Sequence, residues 1–595
     1  MMKKPIRAIL FAFSLFSGAV FPVQAQWLTQ SVLVKPGWTA IYLHVDASYK
    51  NLNELVGSEA KNPIDQIWRW QPPASAQFVT SPLEPLTTSS DWANWSRFDT
   101  GVPATLSALT ANSAYLVHST ATSNYVWQIK GKPIAPSYIW TTSGLNFFGF
   151  PTPPDNPPLL DNFLSLVPEF SGAAEFYQYV GGNLGGSNPG QVIARHALHV
   201  TRGQAFWVRA GTYFNDYFGP FQVSLSGSGE IALGDSGGQY SFHLRNTTAT
   251  NLTVSVRLIS SETPPTGQPA IAGAPPVLLR GALNITNLTY AYSDLSGGVA
   301  QWNLAPKGQP GSDITVVLGV NRSVLIGNPG KLYAGILRFT DSYGFSQVDV
   351  PVSAQASSLS GLWVGKAVIT QVANYLKTYD RDANNKPIVS PDGNYIVTNV
   401  DTSLGPVAKP FPFRLILHND GTNVVLLQRV YYGVNPFSKQ VISTSESALD
   451  PAKLDSARRI SAVNFPWSSA NNPWPFSGQL AAGNTLTTTV ALAYDDQASN
   501  PFLHTYHPDH DNLDATFKNE LPRGAESYDI TRQITLQIDP VGDDFGSLTH
   551  VGQTFSGTYS ETIVLAGSGS NSRTFNVSGN FSINRISSIA TLTRP

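Results

Sequence analysis

Three of the ten histidines, His504, His507 and His510, fall within seven residues of one another, and Asp509, Asp511 and Asp514 lie among and just after them. Imidazole and carboxylate are the side chains that hold divalent metals or carry protons near neutrality. Pro508 keeps His507 out of the helical region and removes a backbone donor, so these histidines sit on an extended or turned loop. On a polyproline-like loop, with its rise of about 3.1 Å per residue, they align on one side about 9 Å apart. That is too far for three imidazoles on one zinc at about 2.1 Å. A single site therefore needs a turn at Pro508-Asp509, which brings His507, Asp509 and His510 or Asp511 together, with Asp514 in reach. Asp509-x-Asp511-Asn512-x-Asp514 reads equally as an oxygen-rich calcium loop. The candidate metal ligands are thus His504, His507, Asp509, His510, Asp511 and Asp514, the candidate ions are calcium and zinc, and a solvated polar loop is the plain alternative. Catalysis would also need a cleft, a nucleophile and an oxyanion donor, and no spacing in the chain supplies them.

The chain that must position this stretch has 595 residues, enough for several domains. Residues 1–25 have the pattern of a secretory signal. Lys3, Lys4 and Arg7 precede an apolar run from Ile9 to Val20, and Val23-Gln24-Ala25 offers a small-residue cleavage site. The apolar run is shorter than the ~20 residues that a membrane span needs. The expected destination is the periplasm, cell surface or extracellular space of a bacterium, without a transmembrane segment. Losing the three cations of the signal takes the formal net charge from -2 to -5. That acidity argues against nucleic acid, whose phosphates need clustered Lys and Arg. The absence of cysteine excludes disulfides, thiol catalysis, a lipidated cysteine and Cys-ligated zinc. Charged residues make up 13%, against a usual ~25%. With 49 Gly and 43 Pro between short β-branched runs, the composition predicts strands and turns.

An all-β, multi-domain fold follows from these runs. Residues 26–135 and 136–227 read as two tandem small β-rich modules with elements in the same order. The first has Gly37-Trp38-Thr39-Ala40-Ile41-Tyr42, Ile67-Trp68-Arg69-Trp70, Ala114-Tyr115-Leu116-Val117 and Trp127-Gln128-Ile129. The second has Leu145-Asn146-Phe147-Phe148, Phe176-Tyr177-Gln178-Tyr179, Ala205-Phe206-Trp207-Val208 and Phe221-Gln222-Val223. This pair resembles tandem modules of uncharacterised secreted bacterial proteins. Nine of the thirteen Trp lie in it. They read either as core filling or, at Trp92-Ala93-Asn94-Trp95, as an exposed aromatic platform for sugar rings formed by Trp92 and Trp95.

Residues 228–356 have the short strands and Asn, Gly and Pro turns of an immunoglobulin-like β-sandwich. Gly234-Asp235-Ser236-Gly237-Gly238 matches the nucleophile loop of chymotrypsin-like proteases, but no His and Asp stand upstream in the context that fold requires, so it reads as a glycine-rich turn. Residues 357–595 form a C-terminal antiparallel barrel or sandwich of about seven or eight strands. Gly361-Leu362-Trp363 on the first of them and Arg585 on the last resemble the calycin (lipocalin-like) barrels, in which a Gly-x-Trp strand closes against an arginine of the final strand. Period-two alternation puts Arg532, Glu561 and Arg585 among inward-facing aliphatics. A buried charge is tolerable only when paired, so Glu561 is expected to contact Arg532 or Arg585 as a structural ion pair.

Each β unit is expected to be stable by its own interior. The favoured function is that of an exported, non-enzymatic surface or envelope protein that binds a glycan, an envelope component or another protein. The alternatives are a metal-dependent hydrolase centred on His504–Asp514 and a carrier of an apolar ligand inside the C-terminal barrel.

Overall fold

The computed structural model describes residues 26–595 apart from 74, 86–88, 99–102, 139, 142, 186–187, 211–216, 228, 327–328, 374–375, 394, 402, 428, 435–440, 444–456, 462–473, 495–527, 567–572 and 592–595. Strands account for 50% and helices for 7%, so the protein is all-β and multi-domain. No helix among the described residues is long and apolar enough to cross a membrane. Two compact units emerge. One comprises Met1–Leu279, Asp294–Leu318 and Lys331–Ala354, and the other Arg280–Ser293, Gly319–Gly330 and Gln355–Pro595.

In the first unit, Gly37–Leu43, Ser113–Ser119, Ile64–Trp70 and Trp92–Ser96 pair in that order as an antiparallel sheet. Alternate side chains leave a strand on opposite faces, and here both faces are buried. Ala40, Tyr42, Trp68, Trp70, Trp92 and Leu116 enter one core. Ile41, Leu43, Ile67, Trp95, Tyr115 and Val117 enter another, which is covered by Val32, Val34, Trp127 and Ile129 from the pair Leu28–Val34 and Tyr125–Pro133. A second sheet orders Asn146–Phe148, Phe206–Arg209, Glu175–Gln178 and Gly190–Gln191. Its Phe147, Phe148, Phe176, Phe206 and Trp207 belong to the same core as Tyr42 and Trp70. Fully separate interiors for residues 26–135 and 136–227 are therefore corrected: residues 26–135 keep one core of their own and share a second with 136–227. A four-stranded sheet with large rings on both faces cannot cover both by itself, and each ring left in water would forfeit much apolar burial.

Further along this unit, Phe221–Ser224 pairs antiparallel with Gln239–Asn246, which Asp313–Val320 follows in sheet order. The facing sheet runs Ile231–Ala232, Gln347–Gln355, Leu332–Asp341, Leu252–Ser260 and Val299–Leu304. Phe242 of one sheet meets Phe339 of the other edge to face at 5.8 Å.

The second unit is built on an eight-stranded antiparallel sheet. Its order is Trp474–Phe476, Val424–Leu426, Leu404–Asn419, Gly361–Ala373, Arg573–Ser587, Thr554–Ala566, Asp529–Ile538 and Thr485–Leu492. Its two ends meet. Ser477 and Thr487 exchange backbone hydrogen bonds of 2.7 and 3.0 Å, and the Thr488 hydroxyl donates to the Pro475 carbonyl at 2.7 Å. The inner face is filled by Trp363, Phe413, Phe555, Tyr559 and Phe581, all buried. Trp363 stacks on Phe555 at 4.9 Å and Phe413 meets Tyr559 edge to face at 5.2 Å. These rings occupy the space that an apolar cargo would need.

Candidate functional site

The six proposed metal ligands, His504, His507, Asp509, His510, Asp511 and Asp514, lie outside the described residues. Among the described residues no three His, Asp or Glu side chains converge to hold a metal ion.

Trp92 and Trp95 do not form a platform. They are 5% and 3% exposed, and the three-residue spacing on one strand sends them to opposite faces of their sheet. Trp92 enters the shared aromatic core, while the Trp95 indole nitrogen donates to Asn53 Oδ1 at 2.7 Å. An aromatic platform at these positions is thus corrected to core packing.

Inside the barrel Arg532 and Glu561 form a buried ion pair. Arg532 Nε donates to Glu561 Oε1 and Nη2 to Oε2 at 3.1 Å, and the Tyr559 hydroxyl donates to Oε2 at 2.7 Å. Burial lowers the Arg532 pKa, but the hydrogen bond and charge of Glu561 outweigh it and hold the guanidinium above its ordinary value. Tyr559 is pushed well above the usual tyrosine range by burial and then by the Glu561 charge. Arg585 is engaged elsewhere, donating to the Ser358 carbonyl. The arrangement holds charge in place and leaves no reactive group facing solvent.

Two histidines of the first unit were not singled out in the sequence. His118 Nδ1 lies 2.6 Å from Asp65 Oδ1, and the His118 ring is 4.9 Å from that of Trp38. A His–Asp pair can serve a nucleophile, yet among the described residues no hydroxyl is hydrogen-bonded to this ring. His44 is 2% exposed, and neither ring nitrogen makes a well-formed hydrogen bond. Burial, then Arg202, pushes its pKa well below the ordinary value, with the Phe150 carbonyl pulling weakly the other way. The Tyr42 hydroxyl, Thr152 Oγ1 and Ser346 Oγ are likewise buried without a hydrogen-bond partner among the described residues. Residues 149–152 tie this group together. The site of a Cβ on Gly149 falls 2.5 Å from Tyr42 Cβ, and Arg202 donates to the carbonyls of Thr152 and Gln347 at 3.0 and 2.9 Å.

Beside that group lies a cavity of about 560 Å³. Residues 134–138 and residues 221–225 both line it, together with the rings of Trp140 and Phe218. No lining residue carries a charged side chain. The Tyr138 hydroxyl is spent on the Phe147 backbone, at 3.2 Å to the carbonyl and 3.1 Å to the amide. The sequence marked Phe221-Gln222-Val223 as a strand, but nothing local reveals which of its edges is left open. The one available signal is Pro136, which interrupts alternation where a partner strand would otherwise be read. A scan against known protein families returns no match for the chain, and a search of curated proteins returns none either.

Proposed function

We propose that the chain is an exported, non-enzymatic binding protein of a bacterial envelope or surface, and that it holds its ligand in the uncharged slot of the first unit. The observation that carries this reading is the lining. The cavity of about 560 Å³ is lined by Tyr138, Trp140, Phe218 and Phe221 together with small, aliphatic and neutral polar residues, and by no Asp, Glu, His, Lys or Arg. Its size falls within the range of ligand pockets, ~300–1,000 Å³. The hydroxyls at its walls, of Ser137, Tyr138, Ser224 and Thr247, have no His, Asp, Glu or Lys among the lining residues to activate them, which favours binding over transformation. The signal-like residues 1–25 support export. The strand orders of the two N-terminal sheets support a duplicated module, since in each the first strand pairs with the fourth, the fourth with the second and the second with the third.

The test is direct binding of the full mature chain to immobilised neutral oligosaccharides and to uncharged peptides. Ser137→Trp is the blocking variant, because Ser137 is exposed and borders the slot. Binding in one panel, weakened about tenfold or more by the variant, is the expected result. Silence in both panels overturns the proposal.

A further inference from the structure

Resting on that reading, we infer that the slot takes one extended, uncharged polypeptide segment of a partner protein, added as a strand along Phe221–Ser224. Successive side chains of a strand point to opposite faces. A cavity touched by all five residues from 221 to 225 therefore lies along the strand's edge and not over one face. The strand is the end member of its sheet, and its ladder is with Gln239–Asn246 alone.

The phase of that ladder identifies the open groups. Thr247 N donates to Pro220 O at 3.0 Å, continuing the register in which Phe221 faces Asn246. Residues 220, 222 and 224 thus bond inward, because hydrogen-bonded and non-bonded pairs alternate in an antiparallel ladder. Asn246 N turns the other way, to Ser312 O at 2.8 Å, as this phase requires. The N–H and C=O of Phe221 and Val223 consequently point into the slot, and no backbone hydrogen bond crosses to residues 134–138. An extended peptide satisfies such groups by strand addition.

The first module has the corresponding junction closed. There Leu28–Val34, which precedes the first strand of the sheet, pairs with the last strand, Tyr125–Pro133, from Leu28 opposite Gly131 to Val34 opposite Tyr125. In the second module residues 134–138 and Phe221–Ser224 hold those two places in the chain order, no backbone hydrogen bond joins them, and both line the slot. An inserted strand needs a spacing of about 4.8 Å to each neighbour. The lining bears no charge, so the inserted segment is uncharged, and its side chains face the rings of Trp140 and Phe218.

The discriminating variant is Val223→Pro in the full mature chain. It removes an N–H that the native ladder does not use, at an edge position where proline is tolerated. Val223→Ala keeps that N–H. The probes are synthetic peptides of about six residues, the usual strand length, composed of Ser, Thr, Val, Gly and Gln, with neutral oligosaccharides in parallel. Expected are peptide binding that falls about tenfold or more in Val223→Pro, stays near wild type in Val223→Ala, and is lost when alternate peptide nitrogens of one parity are methylated. Equal loss in both variants, or no dependence on parity, overturns the inference. Oligosaccharide binding blocked by Ser137→Trp but indifferent to Val223→Pro also overturns it while leaving the binding reading intact. No binding by any probe removes both. Should Val223→Pro not fold, the methylation series on the unaltered chain decides alone.

Discussion

Trp70 and Trp207, on different sheets and 137 residues apart in the chain, meet edge to face with ring centroids 4.8 Å apart, and Phe147 stacks on Trp207 at 4.6 Å. Trp207 is wholly buried at the centre of the core that the two N-terminal sheets share. Trp207→Ala should cost about 3–5 kcal/mol, the usual loss for emptying a large aromatic site. Calorimetry should show the melting of the first unit shifted as one transition. If residues 26–135 alone gave a cooperative melt, the shared interior would not be what holds them.

The ion pair in the barrel offers a second prediction. Glu561→Gln leaves the Arg532 guanidinium buried without its counter-charge, so destabilisation of about 3–5 kcal/mol is expected. Replacing both residues by leucine removes the buried charge altogether and should cost far less. Urea titration of the two variants separates the cases, and equal losses would show that packing rather than charge governs the site.

A third prediction concerns acid. His44 is held neutral in the folded chain because its pKa lies well below the ordinary 6.5, whereas the unfolded chain takes up a proton there as pH falls through about 6.5. The unfolded state then binds more protons, so stability is lost below that pH by up to about 1.4 kcal/mol per unit. His44→Leu should flatten the decline in melting temperature between about pH 6.5 and 5. An unchanged slope would assign the acid sensitivity to other groups.

Backbone geometry supplies the fourth. Gly361 has φ of 125°, and a Cβ there would fall on the carbonyl oxygen of Ser587, at 1.8 Å. Gly361→Ala should therefore destabilise the barrel by more than about 1 kcal/mol, since alanine is strained at such a φ even without the clash. Chemical denaturation followed by tryptophan fluorescence reads it, because Trp363 is buried two residues away. Next to it the calycin-like residues are directly opposed, Trp363 facing Arg585 across neighbouring strands.

Local alternation made most of the barrel legible. The runs around Trp363, Leu415, Leu486, Ile534, Tyr559 and Phe581 are strands close to where β-branched and aromatic periodicity puts them. Trp474–Phe476 was invisible because it is three residues long with Pro475 at its centre, a residue that argues against a strand until its edge position is known. The apolar run from Val424 to Tyr432 is divided between two sheets. Val424–Leu426 stays in the barrel, and Arg429–Val434 pairs with Ala457–Ser461. At Trp92 and Trp95 the surroundings were hidden because a strand buried on both faces ordinarily shows as a continuous apolar run, and here the buried but polar Asn94 interrupts it. The slot was illegible for a related reason. Whether an edge is open depends on which distant segment fails to reach it, and no window of sequence around Val223 contains that information.

The barrel's opening strand, Gly361–Ala373, is zipped to its closing strand, Arg573–Ser587. A ring whose first strand needs a strand some two hundred residues later cannot be completed on a nascent chain until Arg573–Ser587 has left the ribosome. Until then the apolar side of the opening strand has only one flank covered. The second unit is accordingly a late folder by construction, and removing Arg573–Ser587, which joins Gly361–Ala373 to Thr554–Ala566, would unstitch the ring rather than shorten it.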